Sequence, residues 1–208
     1  MTLLTKLFQY VLLATKKYNI DESHGLSHSM NILNFASDIY EAEVLNKPQL
    51  KEQKRIIFTA AILHDMCDKK YTNEDEGIQE ISNFLSDQMT QKEIEVTKNI
   101  IQTMSYSKVK INGFPDLKEY QTAYHIVREA DLLTAYDFDR CMIYNMNMDK
   151  PNRCIYSAYS DADKLFMNRV LKHNEDNLFV TEYSNNLSRE LHIVALNRIN
   201  SWKKLLSH

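Results

Sequence analysis

The scarcity of chain-breaking residues constrains the fold of this sequence more than any other feature. Only three glycines and three prolines occur among its 208 residues. Tight turns and hairpins depend on these two residue types, so a chain that is poor in both favours long helices over sheets. The length suits one domain with a substantial buried core. We therefore expect residues 1–208 to form a single all-α domain, built as a helical bundle.

Apolar residues recur at helical spacing along most of the chain. The first helix, which carries Leu7 and Val11, is expected to pack on the core, with a membrane-surface helix as the alternative. A second helix is predicted over about 28–46, and Pro48 then breaks it before a third over about 49–65. The remaining apolar patterns mark helices around residues 78–85, 94–104 and 123–133, with two or three more within 160–206.

The least periodic part of the sequence is residues 142–159, which include Pro151 and few charges. Such a segment is typical of an irregular surface connection. A lid over a binding site, or a contact in an oligomer, is the alternative interpretation. Whether the chain forms a homo-oligomer therefore stays open.

Charge, hydropathy and cysteine content exclude several classes of protein. The net charge of -3 gives no basic surface for nucleic acid, and no apolar run approaches the roughly 20 residues of a membrane span. The three cysteines, Cys67, Cys141 and Cys154, are scattered and lack the CxxC spacing of a zinc site. A reduced, cytoplasmic protein is the simplest interpretation.

Adjacent polar residues end a strongly apolar segment at positions 59–66 (TAAILHDM). His64 follows Ala60 by four residues and Asp65 follows Ala61 by four, so both extend helix faces that should be packed. An unpaired carboxylate in such a place costs several kcal/mol. A bound cation removes that cost, and both side chains are good metal ligands.

Two more polar side chains are predicted to point inward. Asp131 follows Val127 by four residues on an apolar helix, and His28 opens the second helix with Ser27 as its expected cap. Singly, an inward histidine is usually hydrogen-bonded within a core, and an inward aspartate is usually paired with a cation. Together, the two histidines and two aspartates predict one site for a divalent ion such as Mn²⁺, Fe²⁺, Co²⁺, Ni²⁺, Zn²⁺ or Mg²⁺.

The order His28, then His64-Asp65, then Asp131 resembles the signature of the HD-domain superfamily of metal-dependent phosphohydrolases. The wider context is similar to that of small bacterial HD-domain nucleotide phosphohydrolases. The similar segments are residues 21–28 (DESHGLSH), 63–71 (LHDMCDKKY), 100–108 (IIQTMSYSK) and 126–135 (IVREADLLTA). The resemblance covers about residues 20–140 and is weaker in the C-terminal helices at 160–206. It implies an HD-type bundle that binds one divalent ion, with Mn²⁺ favoured.

The same resemblance implies hydrolysis of a phosphate ester or anhydride in a nucleotide or similar small phosphorylated metabolite. Asp68 and His24 are the candidate catalytic residues for proton transfer. Lys70, together with His24, is the candidate for binding the substrate phosphate. Asp68 at a helix end and Lys70 as a solvated charge are the structural alternatives. Arg128 could also reach the site, but it is one of several basic residues and is not favoured, and Cys67 is expected only to fill space beside the site.

Four positions depart from the pattern of the family. Gly25 replaces an acid, Asn31 and Leu132 replace arginines, and Thr134 replaces another acid. The metal ligands are intact, but part of their usual polar surroundings is missing. A non-catalytic regulatory module that retains the metal cage and binds a nucleotide is therefore the alternative function. A metal oxygenase is less favoured, because no further histidines are spaced to bind a second iron.

Overall fold

The computed structural model describes residues 1–148 and 154–207. Within them lie ten α-helices and no strand, so the predicted all-α fold is confirmed. The helices are α1 (Leu3–Lys17), α2 (Leu26–Val44), α3 (Lys54–Leu63), α4 (Glu74–Leu85), α5 (Gln91–Thr103), α6 (Tyr106–Asn112), α7 (Gln121–Thr134), α8 (Phe138–Asn147), α9 (Ile155–Asn168) and α10 (Glu182–Leu206).

Helices α2, α3 and α7 form the centre of the bundle and pack against one another. Helix α3 is buried on nearly every side, from Ile56 to Leu63, as expected for a helix whose whole circumference is apolar. Helix α1 covers it with Leu7, Val11 and Ala14, so the predicted core-packing role of the first helix is confirmed. No described helix is both long and apolar enough to cross a membrane.

The start of α2 differs from the prediction. Ser27 is the expected cap of a helix that begins at His28, but α2 begins two residues earlier, at Leu26, and Gly25 occupies the cap position. A 3₁₀ turn over Glu22–His24 precedes it, and Asp21 caps that turn. The capping interaction therefore stabilises the turn that carries His24, and His28 lies in the first turn of α2.

The predicted third helix also begins differently. Residues Pro48–Gln53 form a 3₁₀ helix with the proline in its first turn, and α3 follows it from Lys54. Proline fixes its own φ and lacks an N–H, so it fits the first turn of a helical segment. The helical stretch is continuous, but its first part has the tighter 3₁₀ winding.

The prediction of an irregular connection over residues 142–159 is wrong for most of that stretch. Helix α8 extends to Asn147 and α9 begins at Ile155, while residues 149–153 lie outside the described part of the chain. Asp137 caps α8, and Met142 and Ala158 are buried where α8 and α9 pack together. Tertiary packing of this kind stabilises helices whose own sequence pattern is weak.

Candidate metal centre

The His64-Asp65 pair lies where α3 ends. The His64 ring donates from Nδ1 to the carbonyl oxygen of Ala61, at 3.0 Å. A carbonyl only accepts, so this bond places the proton of a neutral ring on Nδ1 and leaves a lone pair on Nε2. That Nε2 is buried without a hydrogen-bond partner and lies 3.2 Å from Oδ2 of Asp65.

His28 reaches the same carboxylate from the first turn of α2. Its Nε2 lies 3.1 Å from Oδ2 of Asp65. Arg140 on α8 donates to this nitrogen from Nη2, at 3.0 Å. A guanidinium only donates, so Nε2 of His28 also carries a lone pair. When both rings are neutral, two imidazole nitrogens that can bind a metal ion therefore converge on Asp65, whose Oδ2 is itself buried without a hydrogen bond.

Asp131 completes the group from α7. Its Oδ1 lies 3.8 Å from Nε2 of His28 and 3.8 Å from Nε2 of His64. Its side chain is 29% exposed, against 13% for Asp65 and 5% for His64. Asp131 therefore borders the open side of the cluster, and the structure brings together all four residues that the sequence predicts as metal ligands.

The charges of the cluster favour a cation at its centre. Burial opposes a charge on His64, but Asp65 and Asp131 outweigh it and raise the pKa of His64 to about 9. Burial, reinforced by Arg140, lowers the pKa of His28 to about 4. Burial would raise the pKa of Asp65, but His64 and His28 hold that pKa well below its usual value. Without a metal ion, the cluster therefore favours a proton on His64 beside the ionised Asp65. The same charges would favour a metal cation at this position.

The donor set fits a divalent metal ion. The ligand atoms of His28, His64 and Asp65 lie within 4.8 Å of one another. Ligand bonds of about 2.0–2.3 Å give similar separations around one ion. Two imidazole nitrogens with carboxylate oxygens suit the mid-sized divalent metals. A shared ion would also satisfy the two buried atoms that lack partners, Nε2 of His64 and Oδ2 of Asp65.

A cavity of about 430 Å³ opens beside this cluster, bordered by His64, Asp65 and Asp131. Its volume is in the range of small-ligand sites. One part of its lining is apolar: Ile101, Met104, Leu132 and Phe166. Another part is basic: Lys69, Lys70, Lys108, Arg140 and Arg169. The lining also includes acids: Asp65, Asp68, Glu74, Asp131 and Asp137. Two of them pair with lysines of the lining, so the remaining cations suit the anionic part of a small molecule and the apolar lining suits an apolar part.

His24 lines the cavity and is fixed by a network of hydroxyl groups. Ser23 Oγ donates to Oδ1 of Asp21 at 2.5 Å, and the Tyr71 hydroxyl donates to Oδ2 of the same carboxylate. His24 Nδ1 lies 2.7 Å from Ser23 Oγ and 3.0 Å from the Tyr71 oxygen. Both hydroxyl protons are directed to Asp21, so Nδ1 must donate. The remaining acceptor of a neutral ring, Nε2, is left for the cavity.

Asp68 and Lys70 also line the cavity, but they interact with each other. Asp68 Oδ1 accepts from the backbone N–H of Lys70 at 2.9 Å, and Lys70 Nζ lies 3.4 Å from Oδ2. Lys70 Nζ also lies 5.3 Å from the centre of the Tyr144 ring. The Cys67 thiol is buried at the same wall, and burial raises its pKa to about 12, so it is protonated at neutral pH.

Three arginines separate into two classes. Arg128 is buried away from the cavity and donates to Glu129 and to the carbonyl of Leu178, so it does not reach the site. Arg140 and Arg169 do line the cavity, and sequence reasoning missed both. The cap signal at Asp137 could have revealed the helix that carries Arg140. Arg169 follows the end of α9, where no sequence pattern indicates a function.

Comparisons with known proteins support the fold alone. No family model matches the sequence, and no curated protein matches it significantly. A crystal structure of a structural-genomics target from Lactobacillus plantarum superposes with a TM-score of 0.67. The match covers 100% of this chain and 99% of that chain, at 21% sequence identity. At this identity the two proteins share a helical architecture, and the likeness carries no activity.

Proposed function

We propose that the chain is a cytoplasmic, metal-dependent phosphohydrolase of the HD-domain type, which acts on a nucleotide or a similar small phosphorylated metabolite. One observation carries the proposal. Two buried ligand atoms without partners, Nε2 of His64 and Oδ2 of Asp65, lie beside a cavity with basic and apolar walls. Groups that can bind a metal ion therefore lie beside groups that can bind a phosphate.

His28, His64, Asp65 and Asp131 would hold the ion, with Mn²⁺ favoured and Mg²⁺, Co²⁺, Fe²⁺, Ni²⁺ or Zn²⁺ also compatible with the ligands. When bound, such an ion polarises a phosphoryl oxygen and lowers the pKa of a coordinated water. The chain itself fixes its ligands in advance, because the Ala61 carbonyl sets the tautomer of His64. Asp131 is the ligand with most access to the cavity.

The proton acceptor that the geometry supports best is His24. The water oxygen bonds to phosphorus while the P–O bond to the leaving group breaks, and a water proton passes to Nε2 of His24. Asp21 then stabilises the charged imidazole through the Ser23 hydroxyl. Asp68 is the second candidate, but its carboxylate already accepts from the Lys70 backbone. Lys70, which is exposed at the rim of the cavity, would contact the substrate phosphate.

A non-catalytic binding module is the second candidate function. Arg140 already donates to Nε2 of His28, which is the lone pair that a metal ion would use. Leu132 and Thr134 also lack the ionisable groups that the family resemblance would place beside Asp131. Such a protein would bind an anionic ligand in the cavity without hydrolysing it.

The test is a panel of nucleotides and other phosphate esters, assayed with added Mn²⁺ for phosphate release. We expect hydrolysis by the wild type and none above background for Asp65→Ala, with an exposed-site variant, Glu190→Ala, as the matched control. Thermal stabilisation by a nucleotide without turnover would support the binding module instead. Hydrolysis that survives Asp65→Ala would contradict the proposed metal centre.

A further inference from the structure

The cations around the cavity differ in whether an acid pairs with them. Lys108 pairs with Glu74, and Lys70 pairs with Asp68. Within residues 1–148 and 154–207, neither Arg140 nor Arg169 forms an ion pair with a carboxylate. These two guanidinium groups therefore line the cavity without a paired acid from the described part of the chain, as does the ammonium group of the exposed Lys69.

The guanidinium of Arg169 makes no hydrogen bond among the described residues, although its backbone N–H donates to the carbonyl of Leu165. Its guanidinium stacks on the Tyr106 ring at 4.1 Å from the ring centre, and its side chain is partly buried. Burial lowers the pKa of Arg169, and the nearby charge of Asp131 offsets only part of that effect. Partial removal of a guanidinium from water costs free energy, and an anionic ligand in the cavity would offset that cost. Stacking on Tyr106 fixes the plane of the group and leaves its N–H donors for the cavity.

Arg140 is anchored by neutral acceptors. Its Nε donates to the carbonyl of Ser23 at 2.5 Å, and Nη1 lies 3.5 Å from Thr134 Oγ1. Its Nη2 donates to Nε2 of His28. If His28 uses that lone pair for a metal ion, Nη2 needs a new acceptor. A phosphoryl oxygen beside the metal cluster would supply it.

We propose that Arg140 and Arg169 form a subsite for two adjacent phosphate groups, so that the ligand carries a diphosphate chain. Arg140 binds the group next to the metal cluster, and Arg169 binds the following one. The assignment of the first phosphate group to Arg140 beside the metal cluster rests on the proposed function. The assignment of the second phosphate group to Arg169 does not. Two neighbouring guanidinium groups repel each other, and an anion with charge on both phosphates relieves that repulsion. The apolar lining is then left for the rest of the ligand.

Metal-free protein tests the subsite separately from catalysis. Calorimetric titration with inorganic pyrophosphate and with orthophosphate measures whether the second phosphate group is recognised. We expect the wild type to bind pyrophosphate at least about tenfold more tightly, since one charge-assisted contact contributes about that factor. Arg169→Met should abolish this preference while leaving orthophosphate affinity within about twofold. Equal affinity of the wild type for the two anions would overturn the proposal.

Two controls separate a binding role from a structural one. Arg189→Met removes an exposed arginine from α10 and should leave both affinities unchanged. Arg169→Met should melt at the same temperature as the wild type or higher, because it removes an unpaired charge. A lower melting temperature for Arg169→Met, or equal weakening by Arg189→Met, would overturn the proposal. Mn²⁺ titration of the same proteins reports on the metal centre independently, so the two proposals can fail separately.

Discussion

Two acids within one turn of each other on α7, Glu129 and Asp131, belong to charged clusters that differ in how well their polar atoms are hydrogen-bonded. Glu129 is completely buried and accepts hydrogen bonds from the backbone of Val180 at 2.8 Å and of Thr181 at 3.2 Å. The Thr181 hydroxyl adds a bond at 2.7 Å, and Arg128 pairs with the same carboxylate at 3.2 Å. This cluster joins α7 to the start of α10 and satisfies the Glu129 carboxylate, although Nε of Arg128 is buried without a hydrogen-bond partner.

The cluster around Asp131 lacks such internal partners. Nε2 of His64 and Oδ2 of Asp65 are buried without hydrogen bonds. By contrast, Glu129, which precedes Asp131 by two residues, accepts hydrogen bonds from the chain. A buried polar group that is satisfied contributes to a defined fold, whereas one that is unsatisfied destabilises the protein until a ligand binds. The comparison therefore associates Glu129 with folding and is consistent with the binding role proposed for the cluster of His28, His64, Asp65 and Asp131.

The largest expected effect on stability comes from the satisfied cluster. Glu129→Ala leaves Arg128 as an uncompensated buried charge, which should lower the free energy of unfolding by about 3–5 kcal/mol. Asp65→Ala should change the stability of metal-free protein much less, because His64 can then lose its proton. Urea unfolding of both variants measures the difference, with Glu190→Ala as the exposed control. A larger loss for metal-free Asp65→Ala than for Glu129→Ala would reverse the assignment.

A smaller effect distinguishes the two candidate proton-transfer residues. His24→Gln should reduce turnover by about 100-fold, the lower end of the range for general acid–base groups. Asp68→Asn should reduce it less, because its carboxylate is already engaged by Lys70. Bound Mn²⁺ should stay near one ion per chain in both variants. Steady-state kinetics at saturating Mn²⁺ make the comparison, and a greater loss for Asp68→Asn would assign the proton transfer to Asp68.

The fold and the residues of the proposed metal site were accessible from sequence for one physical reason. His64, Asp65 and Asp131 interrupt helix faces that are otherwise apolar, and helical spacing alone shows that such residues point inward. The network around His24 was not accessible in the same way, because Tyr71 reaches Asp21 across 50 positions of chain. Only the packing of separate elements brings those two residues together.

The two arginines of the cavity lining, Arg140 and Arg169, could not be predicted from the sequence for a different reason. Arg140 lies in the first turn of α8 and Arg169 directly after α9, and each of these helices overlaps a stretch with weak periodicity. Side chains at helix ends follow the local path of the backbone, which apolar patterns do not specify. The role proposed for them rests on the absence of acid partners among the described residues and on the cavity that they share.

Titration of metal-stripped protein with Mn²⁺ tests the central claim most directly. We predict that the wild type binds one ion per chain and that its melting temperature rises, because the ion binds the folded cluster and not the unfolded chain. Asp65→Ala and Asp131→Ala should each lose both the binding and the stabilisation, while Glu190→Ala keeps them. Absence of binding by the wild type, or equal binding by the two aspartate variants, would contradict the metal centre.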